Sequence, residues 1–301
     1  MRVFVTGASG FIGSAVVPEL LRAGHQVVGL ARSDASAEKV AAAGAEVHRG
    51  ALDDLDSLRA GAAAADGVVH LAFIHDFADF EDAAKTDLRA IEAIGGVLEG
   101  SGRPLAVASG LIGVAQGRLA TERDRPGPES AAGPRDAGAR AVLELAGRGV
   151  RSSLVRLGAS VHDEGDHGFV PRLIEIAREK GVSGYVGDGS GRWPAVHRLD
   201  AARLFRLALE SAPAGSVLHG TAEEGLPIRT LAEVIGRRLD LPVTSVPAEE
   251  ADAHFGWLGR FFGADIPASN ELTRELLGWQ PTGPGLIEDL EGGHYFSPRS
   301  A

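Results

Sequence analysis

The sequence predicts an α/β protein, a doubly wound parallel sheet with a smaller C-terminal α/β lobe. Three observations predict it. Short β-branched or aliphatic runs alternate with longer helix-compatible segments through the first half, as in a parallel sheet covered by helices. The first of these runs leads straight into three spaced glycines, Gly7, Gly10 and Gly13. At 301 residues the chain is long enough for a large α/β unit with an attached lobe and a sizeable core.

In chain order, Val3–Thr6 reads as a strand and Phe11–Ala23 as the helix after it; Gln26–Leu30 is the second strand, followed by a helix over Ala35–Ala43. Glu46–Arg49 precedes a helix at Leu55–Ala62, and Gly67–His70 precedes a long one at Phe80–Glu99. Leu105–Ala108, a helix over Arg135–Arg148 and Ser152–Arg156 complete the alternation. Gly24, Gly44 and Gly149 sit just past three of these helices, where a left-handed cap favours glycine. Between Gly117 and Pro134 the charged and turn residues Arg118, Glu122 to Arg125, Pro126, Gly127 and Pro128 read as a solvated loop beside the carboxyl edge of the sheet. Farther on, helical segments fall at Phe169–Lys180, Ala201–Glu210, Arg229–Leu239 and Ser269–Leu277, and Val196–Asp200 returns the chain to the first domain. The expected division is 1–160 plus about 195–212 for the first domain, and about 161–194 plus 213–301 for the smaller lobe.

Composition narrows the function. Lys+Arg 30 against Asp+Glu 41 gives a net charge of −11, the wrong field for a general nucleic-acid binder. Cysteine is absent, which removes disulfides, thiolate metal sites, iron–sulfur clusters and cysteine nucleophiles together. The opening residues carry no secretion-signal pattern and no apolar run approaches the roughly twenty residues that span a bilayer, so a cytoplasmic protein without membrane attachment is expected.

Thr6-Gly-Ala-Ser-Gly-Phe-Ile-Gly13 has the spacing of a dinucleotide turn in the context that turn requires, a strand before and a helix after. Gly7 permits the tight turn, Gly10 lets a pyrophosphate approach main-chain N–H groups at the helix N-terminus, and Gly13 allows helix and strand to pack closely. Phe11 and Ile12 lie on the same turn. At the end of the second strand an acid would hold ribose hydroxyls and a base a 2′-phosphate; Ala31 occupies the acidic position, with Arg32 and Ser33 just after it. NADP is favoured over NAD, with Asp34 as a counter-signal and a surface arginine as the plain alternative.

On these residues, together with Gly50-Ala-Leu-Asp-Asp54, His70-Leu-Ala72, Ser109, Arg156-Leu-Gly158 and Val196–Asp200, the chain resembles an extended short-chain dehydrogenase/reductase of the NAD-dependent epimerase/dehydratase family. The resemblance runs through most of the chain and implies a Rossmann-type sheet. It implies adenine contacts from Leu52, Asp53 or the backbone, Ala51 replacing the usual aspartate; Leu71 and Ala72 on the adenosine-side ribose region; Leu157 to Val161 at the nicotinamide end; and dimerisation through the helices near Phe80–Glu99 and Arg135–Arg148.

One family feature is missing. Hydride transfer in such proteins uses a Tyr-x-x-x-Lys pair beside a Ser or Thr, the lysine lowering the tyrosine pKa. The two tyrosines here, Tyr185 and Tyr295, are followed four residues on by Gly189 and Arg299, and no lysine among Lys39, Lys85 and Lys180 has a tyrosine four residues before it. Aligned by its helix and Glu144, the tyrosine position falls on Asp136 and the lysine position on Arg140. An exposed aspartate titrates near 4, too low for efficient donation at neutral pH unless desolvated, so a local Asp136–Arg140 ion pair competes with a catalytic role.

Ser109 matches the family hydroxyl position. Substitute proton donors are sought in loops at the carboxyl edge, His75-Asp76 after the fourth strand and His162 to His167 after the sixth, with exposed loop polarity as the alternative. His162, Asp163, Asp166 and His167 lack strict ligand spacing, and no metal is assigned. Gly184–Pro194, with Tyr185, Arg192 and Trp193, reads either as a substrate-facing segment or as a tight hairpin with a packed tryptophan, and Phe255, Trp257, Phe261 and Phe262 read as core. The expected function is an NADP-dependent oxidoreductase acting on a small carbonyl or alcohol with a non-standard proton donor. A non-catalytic NADP sensor or scaffold, and a nucleotide-sugar epimerase or dehydratase, are the alternatives.

Overall fold

The computed structural model describes residues 1–75, 79–125 and 133–297. The expected Asp76 and Pro126, Gly127 and Pro128 lie outside them. Valine-rich runs between glycine turns form strands because β-branched side chains fill a sheet buried on both faces. From β1 (Arg2–Thr6) and α1 (Gly13–Arg22), the chain passes through β2 (Gln26–Ala31), α2 (Asp34–Ala42), β3 (Glu46–Arg49), α3 (Leu55–Ala63) and β4 (Gly67–His70). It continues with α4 (Phe80–Leu98), β5 (Pro104–Gly110), α5 (Gly133–Glu144), β6 (Arg151–Leu157), β7 (Ser160–His162), α6 (Phe169–Lys180), β8 (Ser183–Val186) and β9 (Arg192–His197). The remainder is α7 (Arg198–Ser211), β10 (Ser216–Gly220), β11 (Glu223–Pro227), α8 (Ile228–Leu239), β12 (Val243–Val246), α9 (Ala251–Phe255), α10 (Gly259–Phe262), α11 (Glu271–Leu277) and α12 (Leu286–Glu291).

The central sheet has seven strands in the order β10-β6-β5-β4-β1-β2-β3, every pair parallel. This is the doubly wound Rossmann-type sheet that the sequence predicts. The direction of winding reverses between β1 and β4, and ligands of such sheets bind outside the carboxyl ends at that point. One face is covered by α1 and α7, whose Val16, Val17, Leu20, Leu204 and Phe205 pack on Val3, Val5 and Val69. On the opposite face, α3, α4 and α5 bury Leu58, Ile91, Ile94 and Val142 against Phe4, Val68 and Val107.

Local chemistry sets the helix ends. α1 begins at Gly13, two residues later than Phe11, because residues 8–12 are consumed by the turn in which the Gly10 N–H donates to the Gly7 carbonyl at 3.0 Å. Ser33 caps α2 by a reciprocal pair of hydrogen bonds with Ser36, and the Asp54 carboxylate accepts from Ser57 N–H at the start of α3.

The strand Ser216–Gly220 had no counterpart among the expected strands and falls in the segment assigned to the lobe. It pairs with β6 along its length and extends the sheet, its His219 buried beneath α11 with the main-chain N–H donating to Thr273 Oγ1 at 2.7 Å. A four-apolar pattern is absent here because His219 and Gly220 stand where periodicity looks for aliphatic residues. The lobe itself holds two smaller sheets, β11-β9-β7 and β12-β8, around a core that includes Trp193, Ile235, Phe255 and Phe262. Asp200 ties the two parts together. Fully buried, its carboxylate accepts the N–H groups of Thr282 and Gly283 at 2.9 and 2.8 Å, and its carbonyl accepts Trp279 Nε1–H at 3.0 Å. Among the described residues, no helix is long and apolar enough to cross a membrane.

Candidate active site

A cleft of about 830 Å³ opens at the switch point and runs from the glycine turn past the ends of β4, β5 and β6 to the lobe. Its first wall is the turn itself. Gly7 has φ of 68°, and a Cβ there would come within 2.8 Å of Ala72 N; a Cβ on Gly13 would lie 2.0 Å from the Gly7 carbonyl oxygen. Both glycines are thus required by backbone packing. At Gly10 an added Cβ meets only the Gly7 carbonyl oxygen, at 3.2 Å, so this residue leaves the approach to the turn open. The N-terminus of α1, at Ile12, has no side-chain cap. Uncapped N–H groups with the positive end of a helix behind them suit an anion, so the turn fits the diphosphate of a dinucleotide.

Thr6 acts from behind this wall. Completely buried, its Oγ1 accepts the N–H groups of Leu71 and Ala72, both at 3.2 Å, which leaves its own hydrogen for His70 Nδ1 at 2.9 Å. His70 Nε2 then carries a proton and donates to Asp87 Oδ1 at 3.1 Å. This buried relay fixes the segment 71–72, which lines the cleft, against the glycine turn. In sequence His70 stands out only as part of the His70-Leu-Ala72 match, although a histidine ending a buried strand signals a partner nearby.

Phe11, Ile12, Gly13 and Arg32 line the cofactor end, as do Leu71 and Ala72. Arg32 is exposed, and Asp34, the counter-signal to a phosphate, is held by Arg49 at 2.6 Å. Ser33 serves α2 as its cap and does not line the cleft. Leu52 and Asp53 also lie outside its lining: Leu52 is half-buried against the core under α3, and Asp53 is exposed. Leu157 at the end of β6 and Val161 on β7 line the cleft.

Ser109, half-buried on β5, and Asp136, on the first turn of α5, both line the cleft. Asp136 is 7% exposed, and burial pushes its carboxyl above the ordinary carboxylate value against the opposing pull of Arg140 and Arg156. The desolvation that the sequence could not supply is present. Arg140, by contrast, is exposed and absent from the lining; the face of α5 toward the cleft is Arg135, Asp136 and Ala139.

His75 lines the cleft, its pKa lowered by burial and then by the positive charges of Arg135 and His167. His167 lines it as well, with its ring 5.8 Å from Phe11. His162 does not. It is completely buried in the lobe interface, Nδ1 bonded to Asp289 Oδ2 at 2.8 Å. The four residues weighed as a metal cluster are separated by this arrangement; the carboxylates and imidazole that converge are instead Asp163, His197 and Asp289. His197 Nδ1 accepts Leu199 N–H and Asp163 is paired with Arg198, so this group is satisfied as an internal polar network.

The Gly184–Pro194 segment resolves to its plain alternative without hairpin pairing. Trp193 is buried, Arg192 holds Asp265 through Nε and Nη2 at 2.8 and 2.9 Å, and Tyr185 lies under Arg229; none lines the cleft. The other tyrosine, Tyr295, donates to Asp166 Oδ2 at 2.9 Å and has its phenol pKa pushed far up by burial, which disqualifies it as a proton shuttle. Phe255 and Phe262 are core, as expected, but Trp257 and Phe261 line the cleft with Phe73, Phe80 and Phe169, so those two depart from the core reading.

The model of the NAD dependent epimerase/dehydratase family matches residues 3–94. A protein of Schizosaccharomyces pombe, described as uncharacterized, is 52% identical over 298 residues, covering 98% of this chain and 100% of its own. A 4-hydroxy-2-methyl-3-oxo-4-farnesyl-3,4-dihydroquinoline-1-oxide ketoreductase of Stigmatella aurantiaca is 28% identical over 94% of this chain and 88% of its own. Among solved structures, the dTDP-glucose 4,6-dehydratase DesIV of Streptomyces venezuelae, with NAD and TYD bound, superimposes with a TM-score of 0.76 at 20% identity, covering 98% and 97% of the two chains.

Proposed function

Because this chain belongs to the NAD-dependent epimerase/dehydratase family, in its extended short-chain dehydrogenase/reductase form, we propose that it is an NADP-dependent oxidoreductase converting a small carbonyl compound and its alcohol. The observation that carries the reading is Asp136, a buried carboxyl with a raised pKa that shares the cleft with Ser109 and the glycine turn. When bound, the nicotinamide supplies or accepts the hydride. Ser109 donates a hydrogen bond to the substrate oxygen and orients it. In reduction, hydride adds to the carbonyl carbon, the C=O π pair moves to oxygen, and that oxygen takes the proton of the Asp136 carboxyl, which is restored from solvent. In oxidation the carboxylate removes the alcohol proton. His75 also lines the cleft, where its lowered pKa favours the neutral ring as a hydrogen-bonding partner for the substrate. The relative named as a ketoreductase is consistent with carbonyl chemistry.

The preference for NADP rests on Arg32 in the cleft lining and on Asp34 being held by Arg49. Arg32→Ala is expected to weaken NADPH binding by about 10–100-fold, the scale of a lost charge-assisted contact, and to leave NADH binding unchanged. Fluorescence titration of the two cofactors checks this; equal affinities in the unaltered protein would refute the preference. The reaction is tested by following NADPH oxidation with a panel of aldehydes and ketones. A protein that binds NADPH tightly yet turns over none of them, with D136N identical to the parent, would be a cofactor sensor instead.

A further inference from the structure

Arg135 lines the cleft but has no part in the reaction above. It lies on the first turn of α5 with its guanidinium carbon 3.9 Å over the ring of Phe73. Nη2 donates one long hydrogen bond, 3.5 Å, to the Ala108 carbonyl, and Nε is shut off from solvent without a hydrogen-bond partner. Asp87 acts on this cation through space and not by contact. Arg172, elsewhere on the same wall, is neutralised by Glu175 and Glu179 at 3.2 and 3.1 Å, and Arg156 is occupied by the Asp124 carbonyl at 3.0 Å. Folded proteins leave few such donors unpaired, and one left unpaired in a cleft is a place for an acceptor on a ligand.

The surroundings define what that ligand carries. Phe73 and Phe80 lie with centroids 5.8 Å apart on one side of the cleft; Phe169 and Phe261 lie nearly parallel, 10° apart in plane, on the other, beside Trp257. Aromatic walls bind an apolar body, and a planar guanidinium binds a carboxylate through a two-pronged fork. A diphosphate would need several donors in the place these rings occupy. Ala108 and Ser109 are consecutive, as are Arg135 and Asp136, so the guanidinium adjoins the two groups that handle the substrate oxygen.

We propose that Arg135 is a specificity-determining residue that binds a substrate carboxylate, the substrate being a 2-oxo acid with an aromatic or branched apolar side chain, or the corresponding 2-hydroxy acid. This rests on the reading of Ser109 and Asp136 as the groups that handle the carbonyl oxygen. Hydride adds to C2 and the proton from Asp136 goes to the C2 oxygen, while the carboxylate stays ionised against Arg135 throughout.

The test compares phenylpyruvate with its neutral counterpart phenylacetone in the parent protein, Arg135→Leu and Arg135→Lys. With NADPH present, kcat/KM in the parent is expected to favour phenylpyruvate by on the order of 10²-fold, the scale of a charge-assisted contact. Arg135→Leu is expected to collapse that ratio, chiefly through KM, and Arg135→Lys to restore part of it, a point charge lacking the fork. NADPH affinity measured on each variant reports whether the fold is intact. Calorimetric binding of phenylpyruvate to the NADP-loaded protein gives a readout free of turnover. Arg135-dependent binding without turnover would sink the oxidoreductase reading and keep only the carboxylate site at Arg135. Turnover of both ketones with no preference for the acid, or a ratio unaltered in both variants, would overturn this proposal and keep the other; failure of phenylpyruvate to bind at millimolar concentration would also overturn it.

Discussion

Replacing Asp136 by asparagine is expected to lower kcat for carbonyl reduction by about 10²–10⁴-fold, the usual contribution of a positioned proton donor, while the affinity for NADPH changes little. The carboxyl group is 7% exposed and burial raises its pKa above the ordinary 3.8, so the protonated acid persists to higher pH than in a surface aspartate. Two opposite profiles follow. Reductive kcat falls as pH rises through the raised pKa, because the donor is lost; oxidative kcat rises through the same region, because the base is gained. The stability effect has a defined sign as well. A carboxyl whose folded pKa is raised contributes stability that is fully present below its unfolded value and is lost as pH climbs through the folded value. At neutral pH the buried charge therefore costs stability, and D136N is expected to melt at the same temperature as the parent or higher. Loss of turnover without loss of stability separates a chemical role from a structural one. A D136N protein that keeps most of its activity would remove the proposed donor.

Gly13→Ala is the second substitution with a large expected effect. Its Cβ would lie 2.0 Å from the Gly7 carbonyl oxygen and 2.8 Å from Ala8 Cα, both backbone atoms that cannot rotate away. The start of α1 must retreat from the glycine turn, and the two parts of the diphosphate cradle separate. Overpacking of this kind costs about 1–3 kcal/mol of stability. A displacement near 1 Å of groups that must converge on one ligand is expected to weaken NADPH binding by on the order of 10²-fold. Gly96→Ala is the control. It lies exposed within α4, an added Cβ meets nothing within 4 Å, and the exchange is expected to gain about 0.5–1 kcal/mol by reducing the freedom of the unfolded chain. Denaturant unfolding and cofactor titration of both variants provide the check, and unimpaired NADPH binding by Gly13→Ala would show that the turn is not the cradle.

The parts of this protein that were legible in sequence are those governed by local rules. Runs of β-branched and aliphatic residues locate the buried strands β1, β2, β4, β5 and β6, whereas the exposed edge strand β3 is found only by its place in the alternation, and the Gly7-Gly10-Gly13 spacing is legible because the positive φ at Gly7 and the contact of Gly13 with the Gly7 carbonyl are set within the turn. β10 was missed because its pattern is interrupted by His219 and Gly220, whose reasons are tertiary: a hydrogen bond between His219 Nδ1 and the Ser269 carbonyl, and packing of Gly220 against Leu157. At the site, the choice between Asp136 as an ion-pair partner and as a proton donor turns on burial, which one sequence does not reveal. Arg140 and Arg135 differ only in helical phase, and a loop of uncertain length before the helix hides that phase. Arg135 had no signal beyond its place at a helix start. The aromatic wall is the same case, since Trp257 and Phe261 share a segment with Phe255 and Phe262 but point to the cleft while the other two point to the core. His162 was misjudged for the opposite reason: a loop histidine in sequence is a completely buried partner of Asp289, 127 residues away.

Calorimetric titration of the unaltered protein with NADPH, and separately with NADH, bears most directly on the claim that a dinucleotide lies across the switch point with its diphosphate on the glycine turn. One site per chain is expected, with NADPH bound tighter by about 10–100-fold, the contribution of a charge-assisted contact from Arg32. No saturable heat with either nucleotide would contradict it, and the catalytic roles of Ser109 and Asp136 would fall with it.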